Sequence, residues 1–383
     1  MKKFLFGATL VGMSLTGCVN DNDAVLTLDD NSQPITFEVA KFKASSRDAT
    51  STSEGSTTVK FPTTKTFGTF AFKESNSNYS VYMDNVEIKH YSGTGEGYWA
   101  AAVNAHEYLW PSTGHIDFIS YAPYVVYVNG NLPASVPIIE SDANGFHNTL
   151  KYKDFRVNED ETNNQVDLLY SDKSVNQKNN TSHYDYTGVP TLFRHALAKL
   201  NFRVAAAYLS DGNTTWNIII HSIKLKNIFN EGSVTLKTNN NHSTLNSTTQ
   251  WENQNLDNVW NATGTTTVTK TWTADQALTV PGSNVLAPIY ATARDYFVIP
   301  QTMNENRQCL TVNYTISSTT VDDSTPVVHT FTKDVYFNKF TSVPAWRMGQ
   351  NITYTIVIDP QGDVINFAPA IEEWSSYNGV LSI

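Results

Sequence analysis

Residues Gly188 to Val204 read GVPTLFRHALAKLNFRV. The end of this stretch alternates. Leu200, Phe202 and Val204 fall on one face of an extended chain, and Lys199, Asn201 and Arg203 on the other. A period of two with one apolar and one polar face predicts a half-buried strand. Gly188 and Pro190 punctuate its start. Long β-rich stretches lie on either side. We therefore read Gly188–Val204 as the hinge at which one domain ends and the next begins.

Upstream, Ile35-Thr36-Phe37-Glu38-Val39 is the first clear strand pattern, with Ile35, Phe37 and Val39 on one face. The stretch from Ala44 to Thr58, ASSRDATSTSEGSTT, is polar, of low complexity and without core residues. Arg47 is the only basic residue between Lys43 and Lys60. From Thr66 to Pro123 strands follow closely. Phe67, Phe70 and Phe72 are expected to form one cluster, and Tyr79, Val81 and Met83 to share a face. A glycine turn (Gly93, Gly95, Gly97) precedes Tyr98 and Trp99. Tyr108-Leu109-Trp110-Pro111, a polar turn and Ile116–Pro123 together predict a hairpin that packs large aromatics between sheets.

Downstream the same grammar returns. Ile218–Lys226, Phe297–Gln301, Leu310–Ile316, Val335–Phe337 and Ile352–Ile358 read as strands. Leu310, Val312, Tyr314 and Ile316 alternate, as do Ile352, Tyr354, Ile356 and Ile358. Asn239–Thr271 is rich in Asn and Thr and predicts long loops or edge hairpins. Many short strands divided by turn signals, with no convincing helix, predict an all-β chain of sandwiches.

At 383 residues the chain is long enough for two domains with real cores. Charged residues make up 16%, against about 25% in typical soluble proteins. The formal net charge of −10 argues against a nucleic-acid partner, since nothing would offset phosphate repulsion. Lys2 and Lys3 followed by the apolar run Phe4–Leu15 read as an export signal, too short to span a bilayer. The run ends in Leu15-Thr16-Gly17-Cys18, which resembles a bacterial lipobox. That resemblance implies cleavage between Gly17 and Cys18, removal of residues 1–17 and acylation of the Cys18 thiol, as in palmitate-bearing lipoproteins. Val19–Asn31 is polar and acidic and reads as a tether. Cys309 is then left without a partner for an intrachain disulfide and is expected to be a small core residue.

No chemistry-bearing motif stands out. The nine histidines include no H-x-x-x-H pair, and no C-x-x-C occurs, so no metal site is expected. His195 is expected to be a packed or hydrogen-bonded structural residue. Gly93-Thr94-Gly95-Glu96-Gly97 lacks the strand-to-helix context and the Lys of a phosphate loop. There is no G-x-S-x-G. Glu159-Asp160-Glu161 and Asp322-Asp323 lie in polar loops and read as solvated charge. No catalytic residues and no cofactor are assigned, and the reading is not of an enzyme. Trp251, Trp260 and Trp272 sit among Asn and Thr. They are suited either to stacking on sugars or to the cores of loop hairpins.

Several phrases carry a family resemblance: Phe193-x-His195-x-Leu197-Ala198-Lys199-Leu200, Trp110-Pro111 with Asp117-Phe118 and Tyr121-Ala122-Pro123, Val166–Tyr170, Val298–Gln301 and Asn351–Tyr354. Together they resemble the fimbrillin-like surface lipoproteins of type V pili. The resemblance implies two tandem β-sandwich domains of transthyretin-like Greek-key type, here residues 48–188 and 189–383. It also implies an outer-membrane lipid anchor, exposure on the cell surface and assembly into a fimbria that contributes to adhesion. In polymerising members an arginine-specific protease cuts after the first strand, which leaves, and a strand of the next subunit fills the groove. Carried over, the cut falls between Arg47 and Asp48 and removes residues 18–47, whose strand is marked by Ile35, Phe37 and Val39. The donor segment would include Ile365, Phe367, Val380, Leu381 and Ile383. The partners implied are other copies of this chain and other fimbrial subunits. A lone surface arginine is the plain alternative for Arg47. A monomeric outer-membrane lipoprotein that binds a glycan or host ligand is the alternative for the whole chain.

Overall fold

The computed structural model describes residues 33–42, 58–75, 78–93, 97–126, 136–141, 147–157, 165–178, 188–237, 267–277, 296–305, 307–361 and 364–372. These residues are all-β, with one 3₁₀ turn at Phe337–Lys339 and no α-helix among them. The first half supplies β1 (Phe37–Phe42), β2 (Thr58–Lys60), β3 (Phe67–Ser75), β4 (Asn78–Tyr91), β5 (Tyr98–Ala101), β6 (His115–Ala122), β7 (Ile138–Ser141), β8 (His147–Arg156), β9 (Leu169–Ser171), β10 (Ser174–Gln177) and β11 (Val189–His195). The second supplies β12 (Ala198–Ala206), β13 (Thr214–Phe229), β14 (Glu231–Lys237), β15 (Thr267–Ala277), β16 (Tyr296–Val298), β17 (Gln301–Thr302), β18 (Cys309–Thr320), β19 (Val327–Tyr336), β20 (Ala345–Trp346), β21 (Asn351–Asp359) and β22 (Val364–Glu372).

The hinge stretch divides between two sheets. β11 belongs to a nine-stranded sheet of the first half, while β12 pairs in parallel with β21 in a four-stranded sheet, β16-β12-β21-β22. The predicted alternation of β12 holds on its apolar side, where Leu200 and Val204 are buried and Phe202 packs on the same core. Lys199 departs from the expected wet face and is only 5% exposed. At this end both faces of the strand are covered, and its amide donates to the Gln350 carbonyl at 2.8 Å.

In the second half, that sheet faces a second one, β15-β13-β18-β19. The core between them takes the four alternating residues of β18 (Leu310, Val312, Tyr314, Ile316) and the four of β21 (Ile352, Tyr354, Ile356, Ile358), as the periodicity predicts. β13 gives Ile218 and Ile220, then Ile223 and Leu225, then Ile228. The change of parity follows two register irregularities in its pairing with β15. An extra residue at a bulge turns every later side chain to the opposite face.

In the first half the sheet closes on itself: β6 pairs β3, then β4, β5, β1, β11 and β9, and β9 returns to β6. Inside the ring lie Phe37, Phe61, Phe67, Trp99, Phe118 and Phe193. Outside it, a three-stranded sheet β14-β8-β7 covers one face and joins strands from both halves of the chain. Its core mixes Ile119, Tyr152 and Tyr170 with Leu197, Leu236 and Phe297.

Two expectations for this half are corrected. Phe67 packs inside the ring with Ala71, whereas Phe70 and Phe72 pack outside it with Tyr121. Odd and even positions of one strand point to opposite faces, so the three phenylalanines cannot form one cluster. Met83 faces inward opposite Ala71, but Tyr79 packs on the outer cluster and Val81 is 62% exposed. Register shifts between β3 and β4, together with Asn85 at φ 51°, break the alternation.

Gly68 shows how tightly the outer layer is built. It lies opposite Tyr121, and a Cβ placed on it would fall 2.2 Å from the Tyr121 ring. That ring is anchored by its hydroxyl, which donates to Asn85 Oδ1 at 2.7 Å. We expect Gly68→Ala to lower unfolding stability by about 1–3 kcal/mol through overpacking, measured by urea unfolding; an unchanged midpoint would contradict this packing.

Candidate functional site

The candidate site is the slot in the ring that β1 occupies. On one side β1 runs parallel to β11 in the register Phe37↔Val189 through Lys41↔Phe193. On the other side it meets β5 only at Phe37↔Trp99, and β2 only over Ala40–Phe42. A strand at the N-terminal end of the chain therefore closes a ring that is otherwise built from residues 58 onward.

Its side chains complete the inner core. Ile35 is 2% and Phe37 3% exposed, and Val39 packs partly on the same cluster. The Phe37 ring meets Phe67 edge-on at 5.8 Å and Phe118 edge-on at 5.6 Å. Burial of Ile35 and Phe37 contributes about 1.5–3 kcal/mol each. Phe61, beyond β2, packs against Phe67, Trp99 and Phe193 at 6.0, 5.5 and 5.1 Å. The chain is thus anchored in one cluster on both sides of residues 43–57.

The start of β1 is latched by the Trp-Pro segment. Ile35 N–H donates to the Tyr108 carbonyl and Trp110 N–H to the Gln33 carbonyl, both at 2.9 Å, around a Pro34↔Leu109 bridge. The Tyr82 hydroxyl donates to the Leu109 carbonyl, and Trp110 packs edge-on to Phe118 at 6.0 Å. This corrects the predicted hairpin: Tyr108–Pro111 does not pair with Ile116–Pro123, whose strand β6 lies between β3 and β9. Phe118 and Tyr121 are buried as expected and Tyr108 and Trp110 partly so, but the backbone partner is the stretch that leads into β1. Two segments so distant in sequence leave no local signal for this.

Gly188 sets how closely β1 approaches β11. A Cβ there would lie 2.7 Å from the Thr36 carbonyl oxygen and 2.8 Å from the Phe37 carbonyl carbon. Both are backbone atoms, so nothing flexible gives way. The missing side chain allows Val189 N–H to donate to the Thr36 carbonyl at 2.7 Å.

Behind β11 lies a buried polar layer. Arg194 grips Asp172 with Nε at 2.9 Å from Oδ1 and Nη2 at 2.7 Å from Oδ2. Burial alone would lower the Arg194 pKa, but the charge and hydrogen bonds of Asp172 outweigh it and hold the guanidinium above its ordinary value. Lys173 Nζ sits 2.8 Å from Asp117 Oδ2, and Asp117 Oδ1 accepts from Asn176 N–H at 2.8 Å. His195 Nδ1 lies 2.7 Å from Asp167 Oδ1, both side chains being buried. His195 is thus the structural residue expected from the sequence. Asp172, Arg194, Asp117 and Lys173 were missed; for Asp117 and Arg194 a charge inside an otherwise apolar strand is the signal that would have found them, whereas Asp172 and Lys173 lie in the short connection between β9 and β10 and read as an ordinary polar turn.

Other sequence-based candidates fall elsewhere. Ile365 and Phe367 lie on β22, in register with Ile358 and Ile356 of β21. Trp272 lies on β15 opposite Ile223. Gly17, Cys18, Arg47, Asp48, Trp251, Trp260, Val380, Leu381 and Ile383 lie outside the described residues.

Removing one member of a buried pair strands the other charge. Asp172→Asn should therefore cost about 3–5 kcal/mol in unfolding stability, and combining Asp172→Leu with Arg194→Met should recover most of it. Urea unfolding followed by tryptophan fluorescence checks both; a loss under 1 kcal/mol for the single change, on the order of a surface pair, would contradict the buried-pair account.

Comparison with known proteins adds kinship to this geometry. The family described as fimbrillin-like matches residues 49–374. No curated protein sequence matches the chain. Among solved structures, a fimbrial protein from Bacteroides vulgatus superposes with a TM-score of 0.53 at 18% identity, covering 81% of this chain and 93% of that one. A candidate cell adhesion protein from Bacteroides uniformis gives a TM-score of 0.42 at 16% identity, over 91% and 100% of the two chains. The tip fimbrial protein Mfa3 from Porphyromonas gingivalis, truncated at its C-terminus, gives 0.33 at 12% identity, over 81% and 94%. The first likeness concerns the fold. Because the family match spans most of the sequence, the chain belongs to the fimbrillin-like family.

Proposed function

We propose that this chain is the precursor of a cell-surface fimbrial subunit that polymerises by exchange of its first strand. The precursor is cut between Gly17 and Cys18 and acylated at Cys18, which carries it to the outer membrane. Cleavage after Arg47 then frees residues 18–47, β1 leaves the ring, and a strand of the next subunit enters. The partners are further copies of this chain and other fimbrial subunits, and the polymer contributes to adhesion. No catalytic step belongs to the chain itself. We move the division between two Greek-key sandwiches, expected after residue 188, to the turn between β11 and β12, because β11 pairs within the nine-stranded sheet; the first sandwich is to receive a strand and the second to donate one.

The observation that carries this reading is the position of β1. It is a terminal strand that closes a ring, is tied by a full ladder on one side only, and buries Ile35 and Phe37. Once cut from Asp48 it would be held by non-covalent contacts alone. Its departure would uncover the edge of β11 and the Phe67–Phe118 cluster, a state that a replacement strand relieves by restoring both ladder and side-chain burial. The family match starts at residue 49, so β1 lies outside the matched span, which fits a segment absent from the assembled form.

The test starts from the soluble chain beginning at Val19. Limited treatment with an arginine-specific protease should expose a new N-terminus at Asp48, and the product should run as a ladder on an unboiled denaturing gel. Arg47→Ala should stay a monomer. An intact monomer from the unsubstituted chain would instead favour a ligand-binding lipoprotein. In cells, Cys18→Ala should abolish fatty-acid labelling; retained label would refute acylation at that thiol.

A further inference from the structure

The buried pairs behind β11 differ in what their nitrogen can do. Arg194 and His195 hold their carboxylates through a guanidinium and a ring nitrogen. Lys173 holds Asp117 through a primary amine, with Nζ 2.8 Å from Oδ2 and the two side chains only 5% and 4% exposed. An ammonium carries three N–H donors. The described residues give this one a single partner, Asp117. A buried charge with so few hydrogen bonds is costly as a plain ion pair. We propose that Lys173 and Asp117 condense to an intramolecular isopeptide bond, a covalent tie between β6 and the connection from β9 to β10. The bond would form in the uncut chain, so it does not rest on the strand-exchange reading above.

The reaction balances within the pair. The ammonium passes one proton to Asp117 Oδ2 along the existing hydrogen bond. The lone pair so freed on Nζ attacks Cγ, the carbon that bears Oδ2. A C–N bond forms and negative charge builds on Oδ1. A second proton then moves from nitrogen to Oδ2, the C–Oδ2 bond breaks and water leaves. An ammonium and a carboxylate thus become a neutral amide and one water, with nothing oxidised or reduced. Neither a guanidinium nor an imidazole gives a lasting amide with its carboxylate, so the other two pairs stay as they are.

Features of the site favour this course. Asn176 sits at the irregularity in the β6–β10 pairing, with φ 57°. Its N–H is not spent on the ladder but donates to Asp117 Oδ1 at 2.8 Å. A backbone donor on the oxygen where charge develops is the arrangement that stabilises a tetrahedral intermediate. Water is also kept away: Phe72 lies opposite Asp117 on β3 and is itself buried. Hydrolysis needs that water, and condensation removes two buried charges. Well-oriented groups held in contact reach effective molarities on the order of 10⁵–10⁸ M. Ser174, next in the chain, donates to the Pro190 carbonyl of β11. The tie would therefore brace the strand against which β1 pairs.

The test is the intact mass of the purified chain beginning at Val19, measured after denaturation. It should fall below the mass of its sequence by one water molecule. Tryptic digestion should release a branched peptide that joins the segments holding Asp117 and Lys173, with no cleavage after Lys173. Lys173→Met and Asp117→Ala should each restore the full mass and remove the branched peptide. A full mass for the unsubstituted chain would overturn the proposal, whether or not either variant folds. So would a loss of water that persists in Lys173→Met, or a branch that maps to other residues.

Discussion

The hydrogen bond from Val189 N–H to the Thr36 carbonyl, 2.7 Å long, fixes the register on which the first half of the molecule depends. It forms only because residue 188 has no side chain. From it follow the parallel ladder to β11, the inward pointing of Ile35 and Phe37, and the closure of the sheet around an aromatic cluster. A closed sheet has no exposed edge. This one reaches that condition through a strand that belongs to the N-terminal end of the chain and is connected to the rest through residues 43–57. The same bond therefore completes the sheet of the first half.

The wall facing β1 is correspondingly firm. Three ionic or polar pairs, Arg194–Asp172, Lys173–Asp117 and His195–Asp167, are buried around β6, β9, β10 and β11. Buried pairs add little net stability over apolar packing, but breaking one is expensive, so the geometry around them has few alternatives. These pairs hold the spacing of the strands that face β1. Beyond β11, the shared sheet β14-β8-β7 couples this half to the next through Leu197, Leu236 and Phe297.

The described residues of the second half form a two-layer sandwich with an apolar core, and among them β15, β19, β16 and β22 stand at the ends of the two sheets. β19 lies at one such end, with Val327 and Val328 more than half exposed. β22 lies at another and holds Pro369. Proline is tolerated at an edge because one side of the strand has no ladder to satisfy.

Much of this was legible in the residues. Low charge, strand-length alternation at Leu310–Ile316 and Ile352–Ile358, and turn signals between short segments determine an all-β chain, because period-two patterns survive in any sheet that buries one face. The family phrases, Cys18 after an apolar run and Arg47 in a bare polar stretch are also properties of the sequence alone. Tertiary structure decided what pairs with what. Bulges at Tyr82–Asn85 and along β13 reset side-chain parity without a local mark. The Trp-Pro segment pairs with the stretch leading into β1, some 75 residues earlier, rather than with its neighbour, as the Pro34↔Leu109 bridge shows. The requirement for glycine at 188 comes from a backbone about 150 residues away, at Thr36 and Phe37. Local pattern specifies which faces are apolar; only the closed sheet determines which strands meet, since that choice is made by contacts between distant segments.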